Sequence, residues 1–190
     1  MQRAIFLDRD GTINKEVNYL VKIEDLEIIP GVKKALTVFK ELGFLNIIIT
    51  NQSAVARGFL SEDKLIEIHN ELKRFLTRDG ESLIDDIFYS PYHIEGKIEK
   101  YKMESHDRKP NIGLILKAKA KYNIDIDKSF LIGDAYTDMK CAENSNMKRI
   151  LVLTGYGNEE LIKCKEDGIE IDYIAKDLLK ASEFIRDYKI

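Results

Sequence analysis

The chain has 190 residues, of which 44% are hydrophobic and 33% are charged, and its formal net charge is -3. This length supplies one domain, residues 1–190, with a sizeable core, and the composition is that of a soluble globular protein. The mixed and slightly acidic charge argues against a nucleic-acid binder that relies on bulk basic charge, so no nucleic-acid partner is expected.

Two cysteines, Cys141 and Cys164, form neither a CxxC pair nor a disulfide framework, which fits a reducing cytoplasm. The N-terminus carries no signal-peptide pattern, and no apolar stretch approaches the roughly 20 residues that span a bilayer. We therefore expect a cytoplasmic protein without a membrane partner. No exposed amphipathic seam stands out, so we also expect a monomer.

From the N-terminus onward, short β-branched runs alternate with longer helical patterns. Strands are predicted at residues 4–7, 45–50, 84–89, 129–133, 149–153 and 171–174. Helices are predicted at residues 31–42, 61–78, 111–122, around 138–144 and from about 178 onward. Ser61 is the expected N-cap of the second helix, and Gly43 is the expected end of the first. Two stretches, 11–29 and 91–110, are predicted to be long irregular loops.

Strands that alternate with helices imply right-handed βαβ units. The predicted fold is therefore α/β: a Rossmann-like, doubly wound, mainly parallel sheet with helices on both faces. The irregular loops are too short to hold a large cap domain, so the loops themselves must shape specificity. In such a sheet, ligands bind outside the carboxyl ends of the strands.

Four polar clusters stand at strand ends or loop exits, where they should converge on one edge of the sheet. In chain order the clusters are Asp8 with Asp10, Thr50 with Asn51, Arg108 with Lys109, and Asp134 with Asp138. Gathered carboxylates repel one another unless a cation is present, and oxygen-only ligands suit Mg²⁺. A lysine, a threonine hydroxyl and backbone N–H groups would neutralise and bind a phosphoryl group.

Each cluster alone has an ordinary structural explanation. A lone DxD at a strand end is most often a solvated turn or a cap, and Arg108-Lys109 alone would be an exposed basic pair. Gly133-Asp134 could be a strand-to-helix turn with an aspartate N-cap. The joint occurrence of all four clusters, in order and each at a strand end or loop exit, favours a phosphoryl-transfer site.

These motifs resemble those of the haloacid dehalogenase superfamily: the segment DRDGT at 8–12, the strand that ends at Thr50, Lys109, and the acidic pair Asp134 and Asp138. The longer segments LDRDGTIN (7–14), TNQS (50–53) with ARG (56–58), and RKP (108–110) are similar to one branch of that superfamily. That branch contains histidinol-phosphatases and D-glycero-D-manno-heptose 1,7-bisphosphate phosphatases. The resemblance covers about residues 3–180.

The resemblance implies that Asp8 is the nucleophile, which forms an aspartyl-phosphate, and that Asp10 is the general acid and base. It implies that Mg²⁺ is held by Asp8, the backbone carbonyl of Asp10 and Asp134. Thr50 and Lys109 would bind phosphoryl oxygens. The implied substrate-binding residues are Glu16, Tyr19, Asn51, Gln52, Ser53 and Arg108. Arg57 is a further candidate substrate-binding residue: it helps bind a second phosphate or orders the loop, or it is only a surface charge in a loop.

Many members of this branch carry a structural zinc loop with the pattern Cys-x-His and then Cys-x-Cys before Arg-Lys-Pro. Here all four ligand positions are altered, so zinc is not expected. His93 and His106 survive nearby, each displaced by one residue. A site built from these histidines and Asp107 is the alternative to a loop held by hydrogen bonds and packing.

The leading hypothesis is an Mg²⁺-dependent phosphatase that removes one phosphate from a heptose bisphosphate, a small sugar phosphate, in lipopolysaccharide biosynthesis. The alternatives are a histidinol-phosphate phosphatase, a polynucleotide 3′-phosphatase and a degenerate phosphosugar-binding module without turnover. The sequence leaves open the anomer and the phosphate that is removed.

Overall fold

A computed structural model describes residues 1–188 of the chain. Its centre is a six-stranded sheet in which every neighbouring pair of strands is parallel. In chain order the strands of the protein are β1 Arg3–Leu7, β2 Phe44–Asn51, β3 Thr77–Arg78, β4 Glu81–Ser82, β5 Asp86–Ser90, β6 Phe130–Gly133, β7 Lys148–Val152 and β8 Tyr173–Ala175. The sheet order is β5-β2-β1-β6-β7-β8, and β3 pairs with β4 in a separate antiparallel hairpin.

Seven α-helices lie in the described part of the chain: α1 Val32–Glu41, α2 Ser53–Ala56, α3 Glu62–Phe75, α4 Gly113–Tyr122, α5 Tyr136–Asn144, α6 Gly157–Glu166 and α7 Leu178–Asp187. Ser61 caps α3 as predicted, because its hydroxyl accepts a hydrogen bond from the Lys64 N–H at 3.1 Å. Among residues 1–188 there is no helix with the length and apolarity that crossing a membrane requires.

The two faces of the sheet pack against different helices. Successive residues of each strand point to opposite faces, so Ile5 and Leu7 join one core cluster while Ala4 and Phe6 join the other. The first cluster includes side chains of α1, α3 and α7, and the second includes side chains of α4, α5 and α6. The predicted doubly wound architecture is therefore confirmed.

The structure corrects some predicted boundaries. The helix predicted at 61–78 ends at Phe75, because Asp79 and Gly80 adopt positive φ values of 52° and 87° and turn the chain into the β3–β4 hairpin. The strand predicted at 84–89 is shifted to Asp86–Ser90. Helix α6 was not predicted, because Gly157 and Cys164 are its only buried residues and the apolar pattern is correspondingly weak.

Three neighbouring strands define the position of the candidate site. Strand β1 lies between β2 and β6, so the carboxyl ends of these strands meet at one edge of the sheet. The segments 11–29 and 91–110, predicted as irregular, contain only short 3-10 turns and isolated bridges and lie outside the main sheet. Loop residues therefore surround the strand ends from which the polar clusters emerge.

Candidate active site

Lys109 joins two of the predicted clusters. Its Nζ lies 2.7 Å from Asp8 Oδ1 and 2.6 Å from Asp138 Oδ1, and it donates to the Ile49 carbonyl at 2.8 Å. Asn51 holds the backbone of Lys109 on both sides, since its amide donates to the Lys109 carbonyl and its oxygen accepts from the Lys109 N–H, both at 3.0 Å. The lysine is therefore a fixed, buried cation between two carboxylates.

Three carboxylates converge beside this lysine. Asp8, Asp134 and Asp138 each offer an oxygen atom, and the three atoms lie within 4.8 Å of one another. Burial raises the pKa of Asp8 to about 7. The charge of Lys109 opposes this increase, and the charges of Asp138 and Asp10 add to it. Burial and the charges of Asp8 and Asp138 raise the pKa of Asp134 to about 8. A divalent cation would relieve this repulsion, and a set of oxygen donors suits Mg²⁺.

Both oxygens of Asp138 have donors within the protein, and one of these donors is the Lys109 ammonium. Oδ1 is paired with Lys109, and Oδ2 accepts a hydrogen bond from the Ala135 N–H at 3.1 Å. Asp134 accepts only from neutral donors within the described chain, and Asp8 is bonded to Lys109 through Oδ1, so these two carboxylates fit a metal better than Asp138 does. Asp138 orients Lys109 and the start of α5.

Two glycines allow the backbone to approach Asp134 closely. Gly11, with φ of 76°, and Gly155, with φ of 55°, would each bring a Cβ into collision with the Asp134 carboxylate. The carboxylate accepts hydrogen bonds from the Thr12 hydroxyl at 3.3 Å and the Tyr156 N–H at 2.9 Å. These contacts explain the glycine and the threonine of the DRDGT motif in physical terms.

Asp10 lies in a separate cradle of donors. Arg9 donates to both carboxylate oxygens, at 2.9 and 2.8 Å, and Asn14 and Gln52 each donate at 2.9 Å. The same Gln52 amide also contacts Thr50 Oγ1 at 2.9 Å. Burial alone would raise the pKa of Asp10, but the charge of Arg9 and these hydrogen bonds outweigh it and lower the pKa below its usual range.

The predicted substrate-binding residues outside the strand ends make contacts of several kinds. Glu16 lies near enough to Asp10 to be affected by its charge. Burial, and then the charge of Asp10, raise the pKa of Glu16. The Tyr19 ring contacts Phe59 with a centroid separation of 5.2 Å. Arg108 donates to the Tyr92 carbonyl at 3.1 Å. Ser53 begins α2 and is half-buried.

Arg57 lies close enough to Arg108 for its charge to act on it. Burial, and then the charge of Arg57, lower the pKa of Arg108. Arg57 Nη2 contacts the exposed Glu95 carboxylate at 3.1 Å, while the buried Nε of Arg57 has no hydrogen-bond partner among residues 1–188. A cavity of about 540 Å³ that is lined by His93, Glu95, Arg108 and Lys109 opens beside this cluster.

The loop that replaces the zinc pattern is tied to α2 and α3 by hydrogen bonds. The Ala56 carbonyl accepts from the N–H groups of Lys97 and Ile98 at 2.7 and 2.9 Å. The Tyr101 hydroxyl donates to Glu62 Oε2 at 2.5 Å. Among the described residues, His93 and His106 do not belong to a cluster of three potential metal ligands.

Sequence reasoning missed Arg9, Asn14 and His69 around Asp10. An arginine between two acids is expected to be solvated, whereas Arg9 is fully buried. His69 carried a signal, because it lies on the buried face of α3, four residues after Leu65 and three before Leu72. The Thr154–Tyr156 turn that touches Asp134 carried none in the sequence.

Residues 106–181 match the family described as HAD-hydrolase-like. A curated relative from Thermosynechococcus vestitus, a D-glycero-D-manno-heptose-1,7-bisphosphate 7-phosphatase, is 35% identical over 185 residues, which are 96% of this chain and 94% of the relative. A D-glycero-beta-D-manno-heptose-1,7-bisphosphate 7-phosphatase from Pasteurella multocida is 40% identical over 156 residues, 82% of this chain and 84% of the relative.

The fold is likewise similar to solved structures. The D,D-heptose 1,7-bisphosphate phosphatase of B. bronchiseptica, crystallised with magnesium and phosphate, superposes with a TM-score of 0.84 at 26% identity. The match covers 98% of this chain and 99% of that one. A D,D-heptose 1,7-bisphosphate phosphatase from Burkholderia thailandensis shares the fold, with a TM-score of 0.70 at 21% identity over 98% of this chain and 100% of the other.

Proposed function

The chain belongs to the haloacid dehalogenase-like phosphatases, and from this premise we propose that it removes one phosphate from D-glycero-D-manno-heptose 1,7-bisphosphate. The phosphate at position 7 is the one proposed to leave, as in the names of the relatives. The observation that carries the proposal is the contact of Asp8 with Lys109 beside the acids Asp134 and Asp138.

In the first step, an Asp8 oxygen attacks phosphorus and the bond from phosphorus to the sugar oxygen breaks. For this step Asp10 must be protonated, against the ionised form that Arg9 favours in the free protein, and it gives that proton to the departing alkoxide. In the second step, Asp10 takes a proton from water, which attacks the aspartyl-phosphate and releases inorganic phosphate and the Asp8 carboxylate. One carboxyl group therefore serves both half-reactions, which is why its orientation matters.

Asp8, the backbone carbonyl of Asp10 and Asp134 are proposed to hold Mg²⁺. When bound there, Mg²⁺ supplies the positive charge that allows an anionic phosphate to approach an anionic nucleophile. Lys109 contributes a second, fixed positive charge from the protein, and together with Thr50 it binds the phosphoryl oxygens. The two acids on either side of Lys109 keep its Nζ in place.

The remaining side chains are proposed to recognise the sugar. Asn51, Gln52 and Ser53 line the pocket, and Glu16 and Tyr19 approach the sugar from the loop before α1. Arg108 recognises the substrate. Arg57 is proposed to attract the phosphate that is not hydrolysed, which is supported by its proximity to Arg108 and by the exposure of its counter-ion, Glu95.

We further propose that the chain acts as one catalytic domain over residues 1–190, as a monomer and without a nucleic-acid partner. The formal net charge of -3 supports the last point. The two cysteines are buried and free, which fits a reducing cytoplasm. The proposed role in lipopolysaccharide biosynthesis rests on the proposed substrate.

A kinetic panel tests the substrate. It compares both anomers of the heptose bisphosphate with fructose 1,6-bisphosphate, histidinol phosphate and 3′-phosphorylated DNA, in the presence of Mg²⁺. We expect the highest kcat/KM for one heptose bisphosphate anomer, with one phosphate released per molecule. Equal or higher kcat/KM on histidinol phosphate or on DNA would assign the chain to another substrate class.

A further inference from the structure

Arg9 is an unusual residue in this chain because its guanidinium is completely enclosed. Its side chain is 0% exposed, and it makes a two-pronged contact with Asp10, with Nε at 3.2 Å from Oδ1 and Nη2 at 2.8 Å from Oδ2. A buried arginine is tolerated only where its charge is paired and its N–H groups find acceptors. The contact with Asp10 satisfies one edge of the guanidinium.

The other edge of the guanidinium faces His69. Arg9 Nη1 lies 3.1 Å from His69 Nε2, and both side chains are buried. An arginine can only donate, so Nε2 must be the unprotonated ring nitrogen that accepts, and the ring proton must lie on Nδ1. Burial and the charge of Arg9 lower the pKa of His69 to about 3, which keeps the ring neutral.

The histidine is itself held in position. It lies in the middle of α3, and its ring packs against the Tyr89 ring with a centroid separation of 5.6 Å. The Tyr89 hydroxyl donates to Glu62, at the start of the same helix, at 2.8 Å. The ring nitrogen that accepts from Arg9 is therefore carried by α3, on the face of the sheet that also packs against α1 and α7.

We propose that His69 is a positioning residue that, through Arg9, fixes the orientation of the Asp10 carboxyl group for proton exchange with the leaving oxygen and with water. The proposal rests on the proposed function, since Asp10 is the acid and base only in that reaction. Without an acceptor at position 69, Nη1 would be a buried donor with no partner, and the guanidinium would turn toward another acceptor. Asp10, bonded to the guanidinium at two oxygens, would turn with it.

The leaving group determines how strongly kcat/KM depends on the position of the general acid. A leaving group that must be protonated to depart is more sensitive to that position. A sugar alkoxide is a strong base and leaves slowly unless it is protonated, whereas p-nitrophenolate is a stable anion that leaves readily. kcat/KM reports the steps up to release of the leaving group. Displacement of Asp10 should therefore lower kcat/KM for an alkyl phosphate far more than for p-nitrophenyl phosphate.

The test compares His69→Leu and His69→Gln in the full chain, with the preferred sugar phosphate of the wild-type enzyme and with p-nitrophenyl phosphate. We expect His69→Leu to lower kcat/KM at least about tenfold on the sugar phosphate and less than about threefold on the aryl phosphate. His69→Gln keeps an acceptor and should restore most of the sugar-phosphate activity. Ile185→Ala, a core truncation on α7, is the stability-matched control and should leave the ratio of the two kcat/KM values unchanged.

The proposal is overturned if His69→Leu lowers both kcat/KM values by the same factor or lowers neither. A wild-type measurement stands beside the variants: ¹⁵N NMR should find the Nε2 of His69 unprotonated at neutral pH. A protonated Nε2 would overturn the proposal even if His69→Leu did not fold. A wild-type protein that hydrolyses no phosphomonoester would instead contradict the proposed function.

Discussion

Lys109 Nζ lies 2.7 Å from Asp8 Oδ1, although 101 residues separate the two along the chain. The lysine and Asp138 are almost completely buried, and Asp138 lies on its other side at 2.6 Å. Burial alone would lower the pKa of Lys109, but the charges of Asp138 and Asp8 outweigh that effect and raise the pKa. The ammonium therefore stays charged and neutralises the nucleophile until a phosphate arrives.

Asp8→Asn should abolish turnover, because an amide oxygen does not form a phospho-enzyme intermediate. We expect kcat to fall at least about 10³-fold, measured as phosphate release with the preferred substrate. Asp63→Asn, at the exposed start of α3, is the matched control and should retain wild-type activity. Substantial hydrolysis by Asp8→Asn would contradict the aspartyl-phosphate mechanism.

Lys109→Met should damage both stability and activity, because it leaves Asp8 and Asp138 buried without their cation. Breaking a buried ion pair costs about 3–5 kcal/mol of unfolding free energy, which urea denaturation at neutral pH without added metal would measure. Lys40→Met is the control, since its pair with Asp85 is partly exposed and should cost about 1 kcal/mol or less. Equal losses in the two variants would show that the Lys109 pair is not the stronger one.

Removal of magnesium should inactivate the protein, whereas a zinc-selective chelator should not. EDTA is expected to abolish phosphate release and added Mg²⁺ to restore it, since the carboxylate cluster needs a cation. Asp134→Asn should raise the Mg²⁺ concentration for half-maximal activity at least about tenfold. Asp172→Asn, whose carboxylate pairs with Lys148 at another surface, should not change it. Loss of activity with a zinc-selective chelator would revive the zinc alternative.

His69 should make the protein less stable as the pH falls. The folded-state pKa is about 3, below the 6.5 of the unfolded chain, so between these values the unfolded state binds more protons than the folded state. Stability therefore falls with decreasing pH at up to about 1.4 kcal/mol per pH unit, or about 2 kcal/mol in total between pH 7 and 5.

The measurement is urea denaturation at pH 7 and pH 5 for the wild type, His69→Gln and the exposed control His106→Gln. We expect the acid-induced loss to be about 2 kcal/mol smaller in His69→Gln than in the other two proteins. The same loss in all three would show that His69 is able to become protonated in the folded state.

The exposed Glu95 carboxylate should compete with substrate for Arg57. Glu95→Gln would free the guanidinium and lower KM for the heptose bisphosphate by about two- to fivefold, while Arg57→Gln would raise KM by about tenfold. Neither should change KM for p-nitrophenyl phosphate, which carries a single phosphate. Arg78→Gln, which removes a comparable surface pair with Glu41, is the control. If the KM for the heptose bisphosphate is unchanged in both variants, Arg57 does not bind the second phosphate and is only a surface charge in a loop.

Much of the architecture could be predicted because local sequence patterns reflect it. The apolar strands and the Ser61 cap were recognised because both depend on neighbouring residues. The prediction failed where tertiary context overrode a weak local signal. Helix α3 stops at Phe75 because of the hairpin turn, and α6 buries too few apolar side chains to be recognised.

The amino-acid sequence by itself determined the alternation of strands and helices, the family, and the polar clusters that follow the strand ends. These are set by chemistry within a few residues and by the rule that parallel strands end at one edge. Only the tertiary structure decided which side chains meet there. The contact of Lys109 with Asp8, and the enclosure of Arg9 between Asp10 and His69, depend on the packing of segments far apart in the chain. Burial then determines which side chains stay ionised, because an unpaired ion costs free energy only where water is excluded.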